Sequence, residues 1–224
     1  MRRGGFLKHM LRHYSPQIRS RGRVLRQFAK KISFVYFGSV DQHVDEHEVI
    51  RGLTVSTTHQ DTHYAVGSYD GYDVSIVDRF DVVQDSAQTA TEHSWLIMQV
   101  GLTDAKLPHI FLKPKGHSPA AYSKFFVAFN HVSVLNSLFT TGHSAEFHAR
   151  FDVFGLVSRA DEIEQTLSPA ITNTIAARFW PHAIEIFEGK VYVYITEHRL
   201  HETMLGATLE SATWLAGVLD KRED

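Results

Sequence analysis

Before residue 33 the apolar positions recur at helical spacing. Phe6, Leu7, Met10, Leu11 and Tyr14 make one stripe, and Val24, Leu25, Phe28 and Ile32 make a second. Ser15-Pro16 separates them, so the pattern predicts two short helical pieces. After residue 50 the period shortens to that of strands. Leu53 to Thr57, Tyr64 to Tyr69 and Tyr72 to Phe80 are β-branched or aromatic runs, and Asp70-Gly71 is a two-residue hairpin turn. Asp81 to Thr91 is polar and turn-like. His93 to Leu102 and Pro108 to Leu112 are further strands, which together predict an antiparallel meander.

The later pattern mixes both periods. Ala120 to Phe139 reads as a helix followed by an irregular stretch, and Phe151 to Leu156 as a strand. Asp161 to Leu167 and Pro169 to Phe179 read as helices, with Ser168 at an N-cap position and proline at the first helical position. Ala183 to Phe187 and Lys190 to Thr196 form a second hairpin about Glu188-Gly189. A last helix, Thr203 to Leu219, carries a Leu205, Leu209, Ala212, Ala216, Leu219 stripe. Strands, then helices, then a hairpin and a helix predict an α+β fold, an antiparallel sheet packed by helices. The predicted organisation is a basic helical N-terminal arm over residues 1–40 and a single domain over 41–224.

Charge sharpens this division. Residues 1–31 hold ten Lys and Arg and no acid, and the first acid is Asp41. The remainder holds 13 basic and 25 acidic side chains, a net of −12. An acid-free amphipathic arm suits an anionic membrane surface, nucleic-acid phosphates or a transit peptide, or else packs back onto the acidic body. No apolar run approaches the roughly 18 residues of a membrane span, and the N-terminus lacks the apolar stretch of a secretory signal. With no cysteine, disulfides, thiolate catalysis and Cys-ligated zinc are excluded.

Candidate chemistry is sparse. On a regular strand His59, Asp61 and His63 share one face, which would offer two imidazoles and a carboxylate to a divalent metal. A polar loop between strands explains the same residues. His43 and His47 are a second spaced pair. Gly142-His143-Ser144 and Gly116-His117-Ser118 begin like a nucleophile elbow but lack its closing glycine. His198 and His201 lie between a strand and the last helix, a spacing open to a catalytic dyad or to ordinary loop histidines. There is no phosphate-binding glycine loop, dinucleotide fingerprint or zinc-finger spacing.

Several stretches resemble a bacterial domain family of unknown function, often joined to membrane-spanning segments. They are Tyr64-Ala-Val-Gly-Ser-Tyr-Asp-Gly-Tyr-Asp-Val74, His93 to Leu102 with Leu107 to Leu112, Glu146-Phe147 with Arg150 to Val153, Leu167-Ser168-Pro169, and Val191 to Tyr194. The resemblance spans roughly residues 60–196 and implies a fold and a link to membranes, without catalytic residues. The sequence is therefore read as a cytoplasmic, non-enzymatic binding or scaffold module, peripheral at an anionic membrane. Arg2, Arg3, Phe6, Leu7, Lys8, Met10, Leu11 and Arg12 would touch that surface, and no cofactor is expected. The alternatives are a hydrolase-like enzyme using a metal at His59, Asp61 and His63, and nucleic-acid binding by the arm.

Overall fold

Asp70 and Gly71 both have positive φ, 52° and 83°, the backbone of a tight two-residue hairpin. In the computed structural model they join β2 (Gln60–Tyr69) to β3 (Tyr72–Gln84). The structure describes residues 16–39, 50, 59–84, 90–103, 106–116, 132–139, 141–196 and 199–220. The remaining strands are β1 (Val35–Ser39), β4 (Ala90–Gly101), β5 (Ile110–Pro114), β6 (Ser133–Val134), β7 (Phe151–Gly155), β8 (Ala183–Phe187) and β9 (Lys190–Ile195). They form one sheet in the order β1-β2-β3-β4-β9-β8-β5-β7-β6. Every pairing is antiparallel. The α-helices are α1 (Pro16–Lys31), α2 (Ala145–Arg150), α3 (Ala160–Thr166), α4 (Pro169–Phe179) and α5 (Glu202–Asp220). This is the α+β fold the sequence predicts, with a sheet packed by helices.

Some elements differ from expectation. Strand structure continues into the stretch read as a turn, because the β3–β4 ladder runs on from Asp81↔His93 to Gln84↔Ala90. Ser168 is the N-cap of α4, but its side chain makes no capping hydrogen bond. Ser144, in one of the elbow-like stretches, caps α2 by accepting from the Phe147 N–H. The predicted strand at Leu53 to Thr57, the predicted helix start at Ala120, and His43, His47, His117, Ser118 and His198 lie outside the described residues.

The sheet divides the interior into two layers. On one face Ile76, Met98, Val193 and Ile184 pack with Leu209 and Ala212 of α5 and Phe179 of α4. The α5 stripe Leu205, Leu209, Ala212, Ala216 and Leu219 is buried there in full. Leu25, Phe28 and Ala29 of α1 belong to the same cluster, as does Phe34 at the start of β1. Half of the basic segment is thus part of the core. On the other face lie Tyr64, Val77, Trp95, Phe111, Tyr192 and Tyr194, with Ile50 against them. Because β9 sits between β4 and β8, Val191, Tyr192, Val193 and Tyr194 are all 1% exposed or less. The strand is therefore buried on both faces.

Candidate functional site

The metal set predicted at His59, Asp61 and His63 does not assemble. Between Thr62 and Ala65 the β2 register shifts by one residue against β3, and His63 adopts a positive φ of 53°. A bulge of this kind re-aims the side chains on either side of it. Asp61 lies on the face opposite the helices, where Arg79 grips it with two hydrogen bonds of 2.7 and 2.8 Å. His63 turns toward α1 instead. Its Nδ1 lies 2.7 Å from the Tyr36 hydroxyl and its ring abuts Gly22. His59 precedes the strand. Among the described residues no group of three or more His, Asp or Glu is placed to hold a metal ion.

The same face carries a second polar group. Glu185 is fully buried, and its carboxylate contacts His109 Nε2 at 2.7 Å and accepts from the Tyr194 hydroxyl. Burial, with the Glu185 charge beside it, pushes the Tyr194 hydroxyl well above its ordinary pKa. Glu185 stands directly across from Tyr192 on one side and Phe111 on the other. A carboxylate in such surroundings is tolerated because imidazole and phenol supply its hydrogen bonds. His109 also packs on the Phe187 ring at 4.5 Å. These groups, with Asp61 and Arg79, form a buried polar band across an aromatic layer. Sequence reading singled out only Asp61 among them, and for a different role. The available signal was Glu185 itself, a lone carboxylate in the apolar run Ala183-Ile184-Glu185-Ile186-Phe187.

The accessible chemistry lies on α1. Its apolar stripe is consumed by the core, and Arg21 is buried in a bidentate pair with Asp78 at 3.0 and 2.6 Å. Arg23, Arg26, Lys30 and Lys31 are exposed, and no residue of the helix is acidic. Arg26 lies over the Tyr36 ring at 5.3 Å, at the edge of the sheet. Burial raises the Tyr36 hydroxyl pKa. Arg2, Arg3, Phe6, Leu7, Lys8, Met10, Leu11 and Arg12, predicted to touch a membrane, lie outside the described residues. Among the described residues no helix is long and apolar enough to cross a membrane.

A shallow opening of about 370 Å³ lies between the β2–β3 hairpin and α5, lined by Tyr69, Asp70, Glu210 and Thr213. Thr213 donates to the carbonyls of Leu209 and Glu210, so its hydroxyl serves α5.

No family model matches the chain. No curated protein matches it in sequence. Among solved structures, the chain is similar to the mycobacterial trehalose monomycolate transport factor A, with a TM-score of 0.60 and 13% sequence identity. The match covers 88% of this chain and 93% of that one. At that identity the likeness is one of fold: the two chains share an architecture over nearly their whole lengths.

Proposed function

We propose that this protein is a non-enzymatic binding or scaffold module that lies against an anionic membrane surface through its basic N-terminal segment. The observation that carries the reading is the acid-free outer surface of α1, where Arg23, Arg26, Lys30 and Lys31 are exposed while the apolar side is locked into the core. Each Lys or Arg held near an anionic surface contributes about 1 kcal/mol. Residues 1–15 add Arg2, Arg3, Lys8 and Arg12, with Phe6, Leu7, Met10 and Leu11 at helical spacing. The acidic remainder of the chain would be repelled by the same surface, which orients the molecule with α1 toward the lipid. The transport role named for the structural neighbour supports a binding function, and the burial of Glu185, His109 and Tyr194 supports an internal, structural use of the polar band.

The test is co-sedimentation of the full chain with anionic and neutral phospholipid vesicles at low and high salt. Binding to anionic vesicles alone, lost at high salt, is the expected result. Absence of binding at low salt, or equal binding to neutral vesicles, contradicts the proposal. Preference for a DNA or RNA duplex over vesicles would assign the same cations to phosphates of nucleic acid. Deleting residues 1–31 is not a suitable control, because it removes Leu25, Phe28 and Ala29 from the core.

A further inference from the structure

The sheet ends at β1, and among the described residues no strand lies on its outer edge. Natural edges of this kind are blunted by proline, lysine or a covering loop, yet β1 reads Val-Tyr-Phe-Gly-Ser. Its two sides differ in chemistry. On one side Val35 and Phe37 share a face and are 59% and 39% exposed, with Phe37 stacked on Tyr64 at 5.9 Å. On the other side Tyr36 points to α1, and the Arg26 guanidinium over it comes within 3.9 Å of where a side chain on Gly38 would begin. Lys30 is exposed one helical turn farther on. The edge is thus apolar on one face and cationic on the other.

We infer that β1 is a docking edge for an extended segment of a partner protein whose residues alternate between apolar and acidic. Paired with β1, such a strand places its side chains on the two faces in turn. Its apolar residues cover Val35 and Phe37, and its carboxylates meet Arg26 and Lys30. A second copy of this chain is the poorer occupant. Two β1 strands paired about a twofold axis would set their α1 helices on the same face, with Arg26 and Lys30 opposed to their own images. The inference shares Arg26 and Lys30 with the membrane reading but goes beyond it, since it uses the sheet edge and a different class of partner and is tested without vesicles.

The test uses the full chain without vesicles and a labelled peptide of about eight residues alternating valine and glutamate, against one alternating valine and lysine. The glutamate peptide is expected to bind about tenfold more tightly. Arg26→Glu/Lys30→Glu, a change confined to exposed positions, should reverse that order. Phe37→Ser should weaken both peptides about fivefold and leave their order unchanged. Equal binding of the two peptides, or an order that survives the charge reversal, overturns the inference. So does a concentration-dependent dimer that Phe37→Ser dissociates, which would make a second copy the occupant.

Discussion

Asp78 and Arg79 are neighbours in β3 and therefore point to opposite faces of the sheet, where each is half of a two-pronged ion pair. Asp78 holds Arg21 of α1, and Arg79 holds Asp61 of β2. The second pair is completely enclosed, with both side chains 0% exposed. Arg79→Leu alone would leave a buried carboxylate without its cation and should cost about 3–5 kcal/mol in urea unfolding. The double change with Asp61→Leu should recover most of that loss; a double variant no more stable than the single one would contradict the argument. His182 predicts a pH dependence. It is 6% exposed, its Nδ1 has no hydrogen-bond partner, and burial lowers its pKa from 6.5 to about 4. The unfolded chain takes up this proton as pH falls below 6.5, whereas the folded chain resists until about 4. Stability from this group is therefore full above 6.5 and lost as pH falls toward 4, by about 3 kcal/mol. His182→Leu should flatten that limb of a pH series of urea midpoints, and an unchanged slope would reject the assignment. At this scale the sequence was a partial guide. The alternation of His59, Asp61 and His63 was legible, but the bulge that separates Asp61 from His63 was not, because Thr62-His63-Tyr64 contains no glycine to mark it.

Elements were more legible than residues. Both hairpins sit where Asp70-Gly71 and Glu188-Gly189 place them, each turn residue having positive φ. Pro169 and the α5 stripe likewise mark helices whose bounds fall within a residue or two of those expected. The helical stripe of Val24, Leu25 and Phe28 was visible, but periodicity gives a helix's apolar face without saying what covers it. The cover is the sheet and α5, and the close approach is made at Gly22, where a Cβ would overlap the His63 ring. Gly22→Val should push α1 off β2 at a cost of about 1–3 kcal/mol. Hydrogen exchange would read this as faster exchange through 20–31 than through β4 and β9, and equal protection of the two regions would contradict it. The strand β1 was missed because five residues after a helix carry too little alternation to stand out.

At the scale of the whole molecule, charge is separated along the chain. Ten cations lie within residues 1–31 and a net of −12 within the rest, and α1 fixes four of those cations on one surface by burying its other side. That fixation is what the sequence could not supply. Composition revealed the basic segment, whereas its rigid half became evident only from the packing of Leu25 and Phe28. Fold-level likeness to a transport factor covers nearly all of both chains, and a shared scaffold does not by itself carry a shared function. The most direct test of the membrane account compares the full chain with Arg23→Glu/Lys30→Glu/Lys31→Glu in co-sedimentation with anionic vesicles at low salt. The account predicts that the triple variant, folded and as stable as the parent, loses at least about tenfold in vesicle binding. Undiminished binding of that variant would contradict the central claim that α1 is the membrane-facing surface.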